Sequence, residues 1–303
     1  THYMPAERRP VMDHAHHDWS PISTRDKLSW PNNARVALCV IVTLEHTEWE
    51  LPEGSFSADQ AGGLGVRPFP DYPRFSHREY GHRVGVFRVL DVLENLGIAA
   101  TVAMDAQTAE HYPYLVKHCL DRGCEIIAHG VSGSQMISGN MSVEAETIFI
   151  RSSMDTIEKA TGKKPRGWSG TDYGESERTP DLLRQAGFDY VCDWVNDEQP
   201  YPMRDGLTAL PTMLEMDDLF AMSSRRVTVD RFAQSLKDGF DAMYRDGASN
   251  GRLMSINLHP WLIGQPFRIG YLEEALGYVM GHEEVWAGTG SEIVDWYRDN
   301  QPE

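Results

Sequence analysis

Seven apolar, β-prone residues in a row, Val36-Ala-Leu-Cys-Val-Ile-Val42, follow the turn signal Pro31-Asn-Asn and run directly into Thr43-Leu-Glu-His46. A continuous run of this length reads as a buried strand. The pattern then repeats with helices between. The spacing predicts a helix over Tyr80–Leu96 closed by Gly97, a strand over Ile98–Met104, a helix over Tyr112–Arg122 and a strand over Glu125–Ala128. A helix over Ser142–Thr161 follows, with Ser142 and nearby acids suited to its N-terminus and Gly162 to its end. Next come Arg166-Gly-Trp168, a helix over Pro180–Ala186 and a strand over Phe188–Cys192. Further strands are expected over Leu253–Leu258 and Glu284–Ala287, and helices over Val229–Tyr244, Ile269–Met280 and Ser291–Arg298. Such alternation argues for an α/β fold with parallel strands, and about seven units would suit a barrel. Pro52–His77 and Asn196–Arg204 read as loops.

Polar residues gather just behind the strands: Glu45-His46, His129, Asp193 and His259. In α/β barrels the active site lies at the C-terminal ends of the strands. Loops also collect polar residues for solvation alone, so position by itself assigns no role. Glu45 beside a histidine has the chemistry of a general base toward water. His129, ending a strand before Gly130, can face a pocket. His259, in Asn257-Leu-His-Pro-Trp261, would complete an acid/base set and could protonate a leaving nitrogen. The stretch Gly167-Trp-Ser-Gly-Thr-Asp-Tyr-Gly174 reads either as an ordinary turn or as a backbone cradle for an oxyanion. Asp193 reads as a solvated loop acid, or as a carboxylate that orients a histidine or holds a ligand N–H.

The chain has 303 residues, 41% of them hydrophobic, enough for a sizeable core. Its formal net charge of −17 repels phosphate backbones and anionic lipid, so neither nucleic acid nor membrane is an expected partner. Cys39, Cys119, Cys124 and Cys192 match no zinc or redox spacing and read as reduced thiols. With no apolar signal-peptide core in the first thirty residues, a cytoplasmic location is expected.

Taken in order, these stretches resemble the polysaccharide-deacetylase (NodB-homology) superfamily over roughly residues 36–296. Thr43-Leu-Glu-His46 stands at its first motif, and His129 with Gly133 at its His-x-x-x-His motif. Arg166-Gly-Trp168 through Glu175 stands at its third motif, Asp193-Trp194 at its fourth and Leu258-His259 at its fifth. Within the superfamily the chain looks most like the branch of allantoinases and cyclic imide hydrolases. The residues behind that likeness are Glu45, Arg78-Glu-Tyr-Gly-His-Arg-Val-Gly85, Asn196-Asp197 with Pro200-Tyr201, and Leu258-His-Pro260 with Gly264-Gln-Pro266.

The resemblance implies a distorted (β/α)7 barrel. It implies a single catalytic domain over residues 1–303, with 1–34 as an N-terminal extension, and a homo-oligomer, by analogy a tetramer. Sugar deacetylases of the family hold a divalent metal with an Asp and two His. Here His46 stands at the Asp position and Gly133 at one His position. A zinc site of His46 and His129 would need a third ligand, from Glu45 or Glu48, and the reading leans toward metal-free chemistry. The expected activity is hydrolysis of a non-peptide C–N bond in a small, cyclic amide, imide or ureide. Glu45, His129 and His259 would be catalytic, and Trp168, Asp172, Tyr173, Asp193 and Trp261 would bind the substrate. The alternatives are a metal-dependent N-deacetylase of an acetylated sugar or peptidoglycan, and an inactive binding protein on the same scaffold.

Overall fold

The apolar run at Val36 becomes strand β1 (Val36–Leu44), buried along its whole length, in the computed structural model, which describes residues 12–55, 68 and 70–300. After it come helices α1 (Tyr72–Tyr80) and α2 (Val86–Asn95), strand β2 (Thr101–Met104), helices α3 (Ala106–His111) and α4 (Pro113–Asp121), and strand β3 (Glu125–Ala128). Helix α5 (Val143–Thr161), strand β4 (Gly167–Trp168), helix α6 (Thr179–Ala186) and strands β5 (Tyr190–Val191), β6 (Tyr201–Pro202) and β7 (Thr208–Ala209) follow. The chain ends with α7 (Val229–Gly247), β8 (Arg252–Leu258), α8 (Ile269–Met280), β9 (Val285–Ala287) and α9 (Gly290–Asn300). No helix among the described residues is long and apolar enough to cross a membrane.

The strands β7, β5, β4, β3, β2, β1 and β8 lie side by side in that order, each parallel to the next. The chain leaving β7 then reaches β8: Met213 N–H donates to Ser255 O at 3.0 Å, and Asp217 bridges to Asn257. The seven-strand ring expected from the resemblance is therefore closed by irregular chain rather than by a regular ladder, which is its distortion. Two short strands are additions. β6 pairs antiparallel with β7, and β9 lies along the N-terminal half of β1. Leu28 and Trp30, both 1% exposed, join the interior cluster at that same end, where Trp30 Nε1–H donates to Arg252 O at 2.8 Å.

Strand residues alternate between two faces. Ala37, Cys39 and Ile41 of β1 face the barrel interior with Ala103, Ile127, Tyr190 and Leu253. Val36, Leu38, Val40, Val42 and Leu44 face the helices with Val102, Met254, Ile256 and Leu258. This parity decides which residue past each strand end can reach the barrel mouth.

Three local expectations change. The helix placed at Tyr80 begins at Tyr72, inside the expected Pro52–His77 loop, because Asp71 caps it by accepting from Arg74 N at 3.2 Å. The rest of that loop expectation lies partly outside the described residues. The helix runs through a π-helical turn, Gly81–Gly85, where bare glycines let it press on Pro260 and Trp261; a Cβ at Gly85 would sit 2.0 Å from Pro260 O. Helix α3, missed in the sequence, starts at Asp105, whose side chain accepts from Thr108 N at 2.6 Å.

Candidate active site

Glu45 extends the interior parity of Ala37, Cys39, Ile41 and Thr43. His129 extends that of Ile127, and His259 that of Leu253, Ser255 and Asn257. All three line one cavity of about 320 Å³ at the C-terminal mouth of the barrel, with Asp172, Tyr173, Asp217 and Asn257.

Two ion pairs flank this cavity. His129 Nδ1–H donates to the Ser169 carbonyl at 2.5 Å, and its Nε2 meets Glu45 Oε1 at 2.9 Å. A carbonyl only accepts, so Nδ1 carries a proton, and a carboxylate opposite Nε2 calls for a second. Burial works against both charges, yet the pairing prevails. Glu45 is held down to about 2 by the hydrogen bond and charge of His129, then by the charges of His259 and Arg78. His129 is raised, with Glu45 overcoming its burial. With both ring nitrogens engaged, His129 acts on any substrate through Glu45.

The second pair has the reverse polarity. Asp218, fully buried, accepts from His259 Nδ1 at 2.7 Å and from the His259 backbone N–H at 3.0 and 2.9 Å. Burial would lower His259, but the charges of Asp217 and Asp218 raise it to about 9. It is an imidazolium at neutral pH, with Nε2 left for the cavity. Asp217 in turn accepts from Tyr173 OH at 2.6 Å, from Asn257 Nδ2 at 2.9 Å and from Phe220 N at 3.0 Å. Asp172 and Tyr173 reach the cavity from consecutive left-handed backbone positions, φ 50° and 56°. Strain of this kind in non-glycine residues persists where the surroundings enforce it, often at functional sites.

Other expected residues lie elsewhere, Trp168 and Asp193 because of their parity. Trp168 faces outward with Val191 and is fully buried against Phe188. Asp193 shares that outward parity and accepts from Gly170 N at 2.7 Å, and it is Asp218 that orients His259. Burial pushes Asp193 up to about 7; burial and the charge of Asp193 push neighbouring Glu175 well above its usual range. Trp261 is covered by the buried Arg78 guanidinium, 3.5 Å above its ring. None of Trp168, Asp193 and Trp261 lines the cavity. The oxyanion cradle expected in the Gly167–Gly174 loop is also largely committed. Ser169 N, Gly170 N, Tyr173 N and Gly174 N donate to Ala128 O, Asp193, Gly170 O and Thr171 O. The sequence reading did not single out Asp217, Asp218 or the apolar lining residues Leu214, Leu219 and Phe220.

With this geometry in view, the sequence matches the polysaccharide deacetylase family model over residues 79–191. That match covers 113 of the 303 residues, and over them the chain is similar to polysaccharide deacetylases. The chain is a hydrolase, similar to proteins that act on carbon–nitrogen bonds other than peptide bonds. A Schizosaccharomyces pombe protein that carries the provisional name of polysaccharide deacetylase is 27% identical, over 91% of this chain and 94% of its own. A Helicobacter pylori peptidoglycan deacetylase is 26% identical over 80% of this chain and 94% of its own. The crystal structure of an allantoinase superposes with a TM-score of 0.84 at 26% identity, covering 93% of this chain and 96% of that one.

The metal-ligand positions considered from the sequence do not assemble here. His46 has outward parity and packs on His111 and Tyr112, with ring centroids 4.6 Å and 5.9 Å away; burial, then the charge of His111, lowers it to about 4. Its Nδ1 faces Tyr112 OH at 3.3 Å. Glu48 is taken up by Gln107, Ser132 and Gln135. Glu45, His46 and His129 form no set of three ligand atoms within 4.8 Å. Among the described residues only Asp217, Asp218 and His259 do, and their atoms are tied to one another and to Tyr173, Asn257 and Phe220. At the second histidine position, a Cβ on Gly133 would sit 2.7 Å from Glu45 Cβ. The glycine gives Glu45 the space in which it meets His129. The residues present therefore do not fit the zinc site considered from the sequence.

Proposed function

We propose that this protein hydrolyses a C–N bond of a small cyclic amide, an imide or ureide. The observation that carries the reading is the opposed polarity of the two ion pairs on one small cavity. One offers a carboxylate, Glu45, braced by His129; the other offers an imidazolium, His259, braced by Asp218.

In this reading Glu45 Oε2 orients a water against the ring carbonyl. As the C–O bond forms the water becomes strongly acidic, and Glu45, a weak base at rest, takes its proton. The tetrahedral intermediate then collapses, the C–N bond breaks, and His259 Nε2 gives its proton to the departing nitrogen. An imide yields a carboxylic acid and a carboxamide in one opened chain. Asp172 accepts from a ring N–H.

The lining also favours a small ring over a sugar. A sugar brings a hydroxyl on nearly every carbon, each of which loses water on binding and needs a partner. Asn257 is already occupied on both sides, by Thr43 at 2.7 Å and by Asp217, and the Tyr173 proton is given to Asp217. The likeness to a peptidoglycan deacetylase keeps N-deacetylation as the second reading.

The test is one screen of the purified chain in weak buffer, with and without chelator, on cyclic imides and ureides and on N-acetylglucosamine oligomers. Ring opening with proton release, insensitive to chelator, is the expected result. Acetate release from the oligomers alone would replace this reading with the second one.

A further inference from the structure

The cavity has a second half that the hydrolytic chemistry does not use. Val195, Leu214, Leu219 and Phe220 give the cavity an apolar wall beside its polar groups. Val195 keeps 42% of its surface exposed, and Leu214 and Phe220 are only half buried. Three of the four come from one segment, the irregular chain after β7 and the π-helical turn Leu219–Ser224. Asp217 Oδ1 accepts from Phe220 N at 3.0 Å, and the Arg225 guanidinium lies 4.8 Å over the Phe220 ring while meeting Glu215 at 3.5 Å. The adjacent acids Asp217 and Asp218 thus tie Phe220 and the imidazolium to one corner of the chain.

We infer that the substrate of this site is a cyclic imide or ureide bearing an apolar ring substituent, aryl or branched alkyl, that packs on Phe220, Leu214 and Leu219. The inference takes its chemistry from the ring-hydrolase reading and adds the substituent. At about 320 Å³ the cavity is in the range that encloses a substituted, drug-like molecule, more than a bare five-membered ring fills. A bare ring held between Glu45 and His259 would leave the wall wet. A substituent displaces that water, and burying it strengthens binding in proportion to its apolar area.

The experiment compares succinimide with 2-phenylsuccinimide on the intact chain, reading kcat/KM by proton release. The phenyl compound should be favoured by about tenfold or more, the scale of discrimination an apolar pocket gives. Phe220→Ala should erase most of that preference, and Phe220→Leu, which keeps an apolar side chain, should retain part of it. Equal turnover of the two imides, or preference for the bare one, overturns the substituent while leaving ring hydrolysis standing. If neither ring opens, calorimetric binding of the same two compounds separates the claims. Tighter phenyl binding that is lost in Phe220→Ala keeps the wall and sinks the hydrolytic reading. Equal or absent binding sinks the inference as well.

Discussion

The two ion pairs at the barrel mouth are built from the same parts and face opposite ways. In the first, Glu45 lines the cavity and His129 stands behind it with both nitrogens engaged, one on the Ser169 carbonyl. In the second, His259 lines the cavity and Asp218 stands behind it, accepting three times from the same residue. Buried, each pair is ionised, so the order of the members, and not their type, divides the work. One pair presents a negative oxygen to water and the other a proton to nitrogen.

The largest effect should come from removing the presented members. Glu45→Gln and His259→Gln should each lower kcat about 10³- to 10⁴-fold, the upper range for general acid–base groups, with far-ultraviolet circular dichroism unchanged. Near-normal turnover in either would break the division of labour. Gly133→Ala should come next. Its Cβ would enter at 2.7 Å from Glu45 Cβ, so the carboxylate must shift, at a loss of roughly 10²-fold. An unaffected Gly133→Ala enzyme would show that Glu45 needs no such space.

Removing the supporting members should move the two limbs of the pH profile in opposite directions. The wild-type kcat/KM should fall above pH about 9 as His259 loses its proton. Asp218→Asn withdraws the charge that raises His259, so the alkaline limb should move to lower pH. His129→Gln withdraws what holds Glu45 down, so the acid limb should move to higher pH. Shifts in the same direction would mean that the pairs do not differ as described.

The smallest effect should be on stability. His259 is raised in the fold from 6.5 to about 9, so its contribution is complete below pH 6.5 and lost as pH rises through about 9. Glu45 is depressed from 4.5 to about 2, so its contribution holds above pH 4.5 and fades as pH falls toward 2. Melting temperature should therefore decline across pH 6.5–9, and Asp218→Asn should weaken that decline. A decline equally steep in the variant would detach it from His259.

Much of this was legible beforehand. The buried run at Val36, the glycine-closed helices and the polar strand ends are written in local periodicity. The parity of each strand was also available. Glu45 is an even number of residues from Ala37, Cys39 and Ile41, while His46 is in step with Val42 and Leu44. Read that way, the sequence would have turned His46 away from His129, and Asp193 away from the cavity with Val191. The missed start of the helix at Tyr72 had its own local sign in Asp71-Tyr-Pro73, an acid cap with proline in the first turn.

Local periodicity alone sets the strand–helix alternation and brings three residues, Glu45, His129 and His259, to the barrel mouth. Backbone geometry ties facing to spacing, and spacing is local. What stands behind them comes from packing between distant parts of the chain. Asp218 lies 41 residues before His259 on irregular chain between β7 and β8, where no period marks a direction. Gly133, Phe220 and Asp217 likewise gain their meaning from which strands the ring brings together and how it closes, and that depends on packing across the whole barrel.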